Sequence, residues 1–217
     1  MPESDHYAPE RARHYQQHHA KNARTRLTTW RERRCLYRAL RDAGSPRTAL
    51  DLPCGTGRFW PAFADAGVEH LIAADGSAGM LDVAAANRLH AGFPQQLFVT
   101  SAFDVALSDR CVEFAACLRF YHHLSMPEDR RRLLAEIGRL TSRYAAVSLW
   151  VDGNLAGRRR LQKAPPQPVP GYGRRICRRR SEVEAEFAAA GFRMLRHYDV
   201  WPRLSMWRLY LLEHDGH

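Results

Sequence analysis

The chain has 217 residues, enough for one domain of ordinary size with a hydrophobic core. Its 45% hydrophobic and 26% charged residues are typical of a soluble globular protein, and no apolar run approaches the roughly 20 residues that a transmembrane helix needs. The 33 basic and 23 acidic residues give a net charge of +10. The polar start M-P-E-S-D-H-Y lacks a signal-peptide core, so we expect a cytoplasmic protein, with peripheral membrane association as the variant.

The cysteines and the charged residues exclude some kinds of site and show where the positive charge lies. The five cysteines form no C-x-x-C pair, so the sequence predicts neither a disulfide framework nor a zinc or iron–sulfur site. Residues 154–180 hold nine basic residues and no acidic one, whereas the middle of the chain is mildly acidic. The excess positive charge therefore belongs to particular segments.

In chain order, residues 10–43 come first and contain neither Gly nor Pro, which predicts one or two helices. Strand-like and helix-like segments then alternate. The predicted strands are 48–52, 70–74, 95–100, 111–118, 144–151, 192–201 and 205–212. The predicted helices are 58–66, 77–89, 127–140 and 181–190, with N-caps at Ser77 and Ser125 and an S-x-x-E start at Ser181 and Glu184.

This alternation predicts an α/β fold with a doubly wound, Rossmann-like sheet of seven strands. The short link between the last two strands predicts an antiparallel hairpin. Residues 154–180 contain four prolines and three glycines, too many for an ordinary connection, so we interpret them as an insertion. The predicted organisation is an N-terminal helical cap, 1–48, followed by a core, 49–217.

The stretch A-L-D-L-P-C-G-T-G-R-F-W reads as a strand, a glycine loop and a helix. Asp51 ends the strand, and Asp75 ends the next one, where a carboxylate accepts hydrogen bonds from ribose hydroxyls. A dinucleotide is disfavoured, because Trp60 stands where close packing needs a small residue and Asp51 would lie near a pyrophosphate. S-adenosylmethionine carries no phosphate, and its sulfonium and amino groups are cationic, so it suits an acidic loop.

At this point residues 49–212 resemble the class I S-adenosylmethionine-dependent methyltransferases. The resemblance rests on A-L-D-L-P-C-G-T-G, on L-I-A-A-D-G-S-A-G-M-L, on E-F-A-A-C-L-R-F-Y-H-H-L and on the terminal hairpin. It implies S-adenosyl-L-methionine as the cofactor, with Asp51 near the amino end of its methionine part and Asp75 on the ribose. It also implies Met80 against the adenine. The cofactor set that it implies is Asp51, Pro53, Cys54, Gly55, Thr56, Gly57, Asp75, Gly76, Ser77, Met80, Ser101, Ala102, Phe103 and Leu118.

Two positions depart from the family pattern. Pro53 replaces a glycine and removes an N–H, so we expect the loop donors to come from Cys54 to Gly57. Ser101 replaces an aspartate that often accepts from the adenine amine; a hydroxyl also accepts, without charge assistance.

The segment after the fourth predicted strand is the first place to look for acceptor chemistry. His122 or His123 could remove a proton, since histidine titrates near neutral pH; the alternative is a backbone or capping role. Arg119 could hold an anionic acceptor or the cofactor carboxylate, or form a surface ion pair. Cys54 and Cys117 read as packing residues, and no Asn/Asp-Pro-Pro-Tyr motif follows the strand, which argues against amide or adenine nitrogen methylation.

Two appendages suggest partners. The N-terminal segment resembles a helical lid, from which Tyr15, Arg24, Arg26 and Arg31 could reach the ligands, although a solvated helix face explains the same charges. The basic insertion, with Tyr172 as its aromatic residue, fits RNA, an anionic lipid surface, a phosphorylated glycan or lipopolysaccharide-like acceptor, or an acidic protein; a solvated loop without a partner is the alternative.

The sequence therefore predicts a methyltransferase that works by direct displacement on a small-molecule or anionic acceptor. One alternative is a cofactor-binding regulatory or adaptor protein with little turnover. Another is an RNA methyltransferase.

Overall fold

The computed structural model describes residues 23–88, 93–163 and 175–214. The chain divides into two compact units, which meet in the sequence at Ala106 and Leu107. The helices are α1 (Ala23–Asp42), α2 (Trp60–Asp65), α3 (Ala78–Ala86), α4 (Pro127–Leu140), α5 (Leu155–Lys163) and α6 (Arg180–Ala189). The strands are β1 (Thr48–Asp51), β2 (His70–Asp75), β3 (Gln96–Val99), β4 (Val112–Cys117), β5 (Thr141–Val151), β6 (Cys177–Arg178), β7 (Phe192–Asp199) and β8 (Trp207–His214).

The first unit is built on three parallel strands in the order β3-β2-β1. Thr48 pairs with His70 and Asp51 with Ala73, so β1 and β2 end at the same edge. The side chains of β1 and β2 are largely buried and apolar, including Ala49, Leu50, Leu71, Ala73 and Ala74, whereas β3 has no buried side chain. This register brings the two acids that end β1 and β2 to one edge of the sheet.

Helix α1 is fixed to α2 by a buried ion pair. The guanidinium of Arg58 lies 2.5 Å from the Glu32 carboxylate, and both side chains are largely buried. Arg33 Nε donates to the Arg58 carbonyl oxygen at 2.6 Å. Of the predicted lid residues, Arg26 is exposed and Arg31 half-buried, whereas Tyr15 and the side chain of Arg24 lie outside the described residues.

The second unit contains a mixed sheet in the order β4-β5-β8-β7. Strand β5 is parallel to β4 and antiparallel to β8, and β8 is antiparallel to β7. The terminal hairpin is therefore confirmed, with a register irregularity between Met194 and Arg196. Strand β5 lies between two strands, and its buried residues form a continuous run that does not alternate with exposed ones. The centre of the sheet is therefore apolar.

The predicted fold class is confirmed: an α/β, Rossmann-like arrangement whose last strand is antiparallel. The described residues contain the seven predicted strands and one more. The additional strand, β6, consists of Cys177 and Arg178 and pairs in parallel with the end of β5. Within the described residues of the predicted insertion, the chain forms α5 and β6; residues 164–174, including Tyr172, lie outside the described residues. The division into a cap and a core at residue 48 stays a prediction.

Of the predicted capping residues, one is confirmed and two are wrong, although the helix predicted over 127–140 has these bounds in the structure. Ser77 Oγ accepts from the Met80 N–H at 3.2 Å, as an N-cap should. The N-cap of α4 is Met126 instead of Ser125, because Pro127 occupies the first turn, where its lack of an N–H leaves no donor that needs an acceptor. The N-cap of α6 is Arg179, so Ser181 lies inside the helix and forms no capping box.

None of the helices in residues 23–88, 93–163 and 175–214 has the length and apolar character required to cross a membrane.

All five cysteines are free thiols, and four of them are buried.

Candidate functional site

The glycine loop (residues 52–57) follows β1 in the first unit. Its Leu52–Pro53 peptide bond is cis, and Gly55 and Gly57 have φ angles of +56° and +71°. A Cβ on Gly57 would lie 2.7 Å from the ring of Trp60, whereas a Cβ on Gly55 would meet no atom within 4 Å. Gly57 is thus required by the fully buried indole beside it, and Gly55 by its backbone conformation next to open space.

The loop amides hold the loop against β2. The N–H of Cys54 donates to the Ala74 carbonyl oxygen at 2.8 Å, and the N–H of Gly57 donates to the Cys54 carbonyl oxygen at 3.1 Å. The N–H of Gly55 donates to Asp75 Oδ2 at 2.8 Å. These three amides are already used within the unit, which differs from the expectation that they serve the ligand.

Asp51 is the most unusual group of the first unit. Its side chain is fully buried, and neither carboxylate oxygen has a hydrogen-bond partner among the described residues. Burial raises the pKa of Asp51 to about 8, and the negative charge of Asp75 adds to this shift, while Trp60 and Arg58 oppose it. A cationic ligand group beside Asp51 would satisfy both oxygens and favour their charge. The residues present therefore fit the cationic methionine end of S-adenosylmethionine.

Asp75 links the glycine loop to the start of α3. Oδ2 accepts from the Gly55 N–H, and Oδ1 accepts from the Ser77 N–H at 2.9 Å. Burial raises the pKa of Asp75, and these amide hydrogen bonds oppose the shift. Each carboxylate oxygen can accept a further hydrogen bond, so the predicted ribose contact is chemically compatible and stays a prediction.

The predicted adenine side of the site consists of short local turns. Met80 is buried in the first turn of α3, and a Cβ on Gly76 would lie in ordinary contact, 3.7 Å, with the Thr100 carbonyl oxygen. Ser101 is exposed, and its Oγ accepts from the Phe103 N–H at 3.3 Å, while Ala102 is buried. The Ser101 hydroxyl therefore stabilises its own turn, in addition to any role towards adenine.

Sequence analysis missed Asn87, which supports the glycine loop from the end of α3. Its side-chain amide donates to the carbonyl oxygen of Thr56 at 2.9 Å. An asparagine at a helix C-terminus was the available signal. Burial and the charges of Asp51 and Asp75 raise the pKa of the Cys54 thiol, which disfavours the thiolate and agrees with the predicted packing role.

In the second unit, the chain leaves β4 through Leu118, which is buried, and Arg119, which has a φ angle of +60°. The Arg119 N–H donates to Ser148 Oγ on β5 at 2.8 Å, which holds this left-handed backbone. The Arg119 guanidinium lies 4.6 Å from the ring centroid of Trp207.

His122 and His123 lie in a single turn of 3₁₀ helix, Tyr121–His123. His122 is 1% exposed, and His123 is half-buried. Burial, His123 and the charges of Arg119 and Arg175 lower the pKa of His122 well below 6.5, so its imidazole is neutral at pH 7 and weakly basic. The catalytic role of either histidine stays a prediction, and the buried, cation-facing ring of His122 disfavours it as the base.

Sequence analysis missed the aromatic cluster around His122, which comprises His122, Trp150 and Trp207. The imidazole stacks on Trp150 with centroids 5.4 Å apart and meets Trp207 edge-on at 4.8 Å. The two indoles are cross-strand partners, Trp150 at the end of β5 and Trp207 at the start of β8. Ligands of such sheets bind beyond the carboxyl ends of the parallel strands, where Trp150 lies.

A buried network fixes the turn that carries His122. Arg130 forms a two-pronged ion pair with Glu186, with the shortest distance 2.6 Å, and the Tyr121 hydroxyl donates to the same carboxylate. Arg130 and Arg178 both donate to the carbonyl oxygens of Leu124 and Ser125, directly after the histidines. The Ile176 N–H also donates to the His122 carbonyl oxygen at 2.8 Å, so the returning end of the insertion supports the same turn.

Residues 49–143 match a family model described as a methyltransferase domain. Magnesium protoporphyrin IX methyltransferase from Synechocystis PCC 6803, crystallised with S-adenosylhomocysteine, is similar in structure, with a TM-score of 0.67 at 16% identity over 89% of this chain and 88% of that one. An S-adenosylmethionine-dependent methyltransferase from Methanosarcina mazei gives 0.61 at 15% identity, over 77% and 92%. SpnF, a cyclase, gives 0.57 at 17%, over 78% and 75%. No curated protein matches the sequence significantly.

The fold is Rossmann-like, and residues 49–143, which include the acidic glycine loop, match the methyltransferase-domain model. The chain is therefore similar, in its fold and in this segment, to S-adenosylmethionine-dependent methyltransferases.

Proposed function

We propose that the protein transfers the methyl group of S-adenosylmethionine by direct displacement to a small-molecule or envelope-type acceptor that carries an anionic group. The observation that carries the acceptor class is the charge of the second unit. Residues 154–180 hold nine basic residues and no acidic one. Two of these residues, Arg160 and Arg175, lie over Trp150 at the end of β5.

The chain's residues divide the work in the way that direct displacement requires. When bound, the cofactor supplies an electrophilic methyl group on a sulfonium. Asp51 places a buried carboxyl group, without a hydrogen-bond partner among the described residues, where a cationic ligand group would favour its charged form, and Asp75 fixes the glycine loop while keeping acceptor capacity for hydroxyl groups. An acceptor that presents an anionic or neutral nucleophile without a proton needs no general base, which agrees with the low basicity of His122.

The first experiment is a thermal shift with S-adenosylmethionine, S-adenosylhomocysteine and NAD in separate wells. At about 100 times the dissociation constant, a ligand stabilises by roughly 2.7 kcal/mol, which raises the Tm of a domain of this size by about 5–11 °C. We expect a shift with the first two compounds alone. A shift with NAD alone, or with none of the three, would contradict the proposal.

Turnover separates this function from its alternatives. Release of S-adenosylhomocysteine in the presence of anionic small molecules supports the methyltransferase. Binding without release from any acceptor would favour a regulatory protein or a non-methylating activity, as in the cyclase of similar fold. Transfer only to RNA, with affinity that falls steeply with salt, would favour the RNA alternative.

A further inference from the structure

The aromatic cluster forms a corner of three rings in the second unit. Trp150 and Trp207 meet nearly at right angles, at 82° with centroids 5.4 Å apart, and His122 lies against both. The indoles are 8% and 9% exposed, so most of their surface is packed. The cluster is therefore a rigid platform and not a set of surface side chains.

Three arginines from three different segments converge on this platform. Arg119, from the turn after β4, lies 4.6 Å from the centroid of Trp207. Arg160, from α5, and Arg175, from the chain before β6, lie 4.8 Å and 5.8 Å from the centroid of Trp150. The Arg160 guanidinium also donates to the Arg175 carbonyl oxygen at 2.9 Å, which ties the two segments together. Contact with the indole faces limits the freedom of guanidinium groups that would otherwise be solvated.

Among the described residues, no acid is paired with Arg160 or Arg175. Asp152, the acid that precedes α5, instead contacts Arg180, at 3.5 Å. Guanidinium groups held around adjoining rings repel one another, so an anion that binds among them would relieve this repulsion.

Unsatisfied buried atoms provide a second, independent observation. His122 Nδ1 and the indole Nε1 of Trp150 are buried, and neither has a hydrogen-bond partner among the described residues. Native proteins satisfy most buried polar atoms, and an exception usually requires an explanation such as a ligand or a bound water. Arg119 also has a left-handed backbone conformation, which is strained for a residue other than glycine. Strain of this kind is found mostly at functional sites.

We propose that Arg119, Arg160 and Arg175 form a subsite for the carboxylate or phosphate group of the methyl acceptor, with Trp150 and Trp207 as its aromatic wall. This subsite deepens the proposed function and depends on it for the identity of the ligand as acceptor. Guanidinium groups bind both anions through paired N–H donors, and their contacts with the indole rings hold these donors in position. An acceptor that presents a carboxylate or phosphate group therefore fits best.

The test measures binding of simple anions to the full chain by isothermal titration at low salt. Inorganic phosphate represents the phosphate source, acetate the bare carboxylate and benzoate a carboxylate with a planar body. The variants are Arg160→Gln and Arg175→Gln, and the matched control is Arg159→Gln, which removes the same charge from an exposed position of α5. Thermal shift with S-adenosylhomocysteine is recorded for every protein.

We expect saturable binding of phosphate or benzoate, weakened about tenfold by Arg160→Gln or Arg175→Gln and less than about twofold by Arg159→Gln. An equal loss in the control, or no saturable binding, would overturn the subsite, and so would binding of an RNA oligonucleotide without binding of any small anion.

The two proposals fail in different ways. If the S-adenosylhomocysteine shift is retained while the anions do not bind, the subsite is wrong and the methyltransferase remains. If the anions bind but the wild-type protein shows no shift with either cofactor form, the proposed function is wrong while the anion subsite remains.

Discussion

Gly57→Ala should lower the free energy of unfolding more than the same substitution at another glycine with a positive φ angle. At φ +71°, an alanine costs about 1 kcal/mol for its left-handed conformation. Its Cβ would also lie 2.7 Å from three ring atoms of Trp60, which is fully buried and cannot turn away. Overpacking of this kind costs typically about 1–3 kcal/mol. The sum is about 2–4 kcal/mol.

Gly67→Ala provides the matched control. Gly67 ends α2 with a φ angle of +87°, and a Cβ there would meet no atom within 4 Å. This variant should lose only the backbone contribution, about 1 kcal/mol. The difference between the two variants therefore isolates the contact with Trp60.

Denaturant unfolding of the ligand-free proteins, followed by circular dichroism, measures both losses. Combining Gly57→Ala with Trp60→Leu should recover part of the loss, because the smaller side chain removes the clash, and a double-mutant cycle gives the coupling free energy. Equal destabilisation by Gly57→Ala and Gly67→Ala, or a coupling free energy near zero, would refute the steric reasoning.

Three further changes test the acids. Asp51 has a native pKa of about 8 and an unfolded pKa of about 4, so the free energy of unfolding should fall by up to about 1.4 kcal/mol per pH unit between these values. The stability of Asp51→Asn relative to the wild type should therefore be greater at pH 8 than at pH 5 in urea titrations. Parallel pH profiles of the two proteins would contradict this. Asp75→Ala should weaken S-adenosylhomocysteine binding by about 1–3 kcal/mol in calorimetry and lower the Tm, and unchanged affinity would mean that the ribose site is wrong. Glu186→Ala leaves Arg130 without its buried partner and should cost about 2–4 kcal/mol, whereas Glu128→Ala, at an exposed pair, should change stability by less than about 0.5 kcal/mol; similar losses would show that burial is not decisive.

Local sequence signals predicted the parts of the fold that local physics determines. The alternation of strands and helices, the Ser77 cap and the terminal hairpin each depend on patterns within a few residues, and the structure has all three. The caps at Ser125 and Ser181 were wrong because serine is also found next to a helix start and inside a first turn, and only backbone geometry separates these positions.

The insertion was not predictable in the same way. Strand β6 has two residues, too few for any periodic signal, and it exists because its backbone pairs with Trp150 and Val151. The proline and glycine content of residues 154–180 gave no indication of a helix, so α5 was not predicted. Helix α5 contains three consecutive arginines and few apolar residues, so it lacks a clear apolar periodicity in the sequence.

The acid positions of the candidate site followed from the sequence, but their environments did not. Nothing local indicates that Asp51 is unpaired while Asp75 accepts two amide hydrogen bonds. The aromatic cluster escaped prediction for a similar reason, since Trp150 and Trp207 become neighbours only through the pairing of β5 with β8.

Both ends of the basic insertion are tied to other elements of the second unit. On the outgoing side, α5 follows β5 directly, and on the returning side Arg175, Ile176 and β6 are bonded to α5, to the histidine turn and to β5. The bonds of Ile176 and β6 join backbone atoms, so they do not depend on the identity of the side chains. Substitution can therefore change the charge of this returning segment while its attachment to the sheet and to the histidine turn is kept.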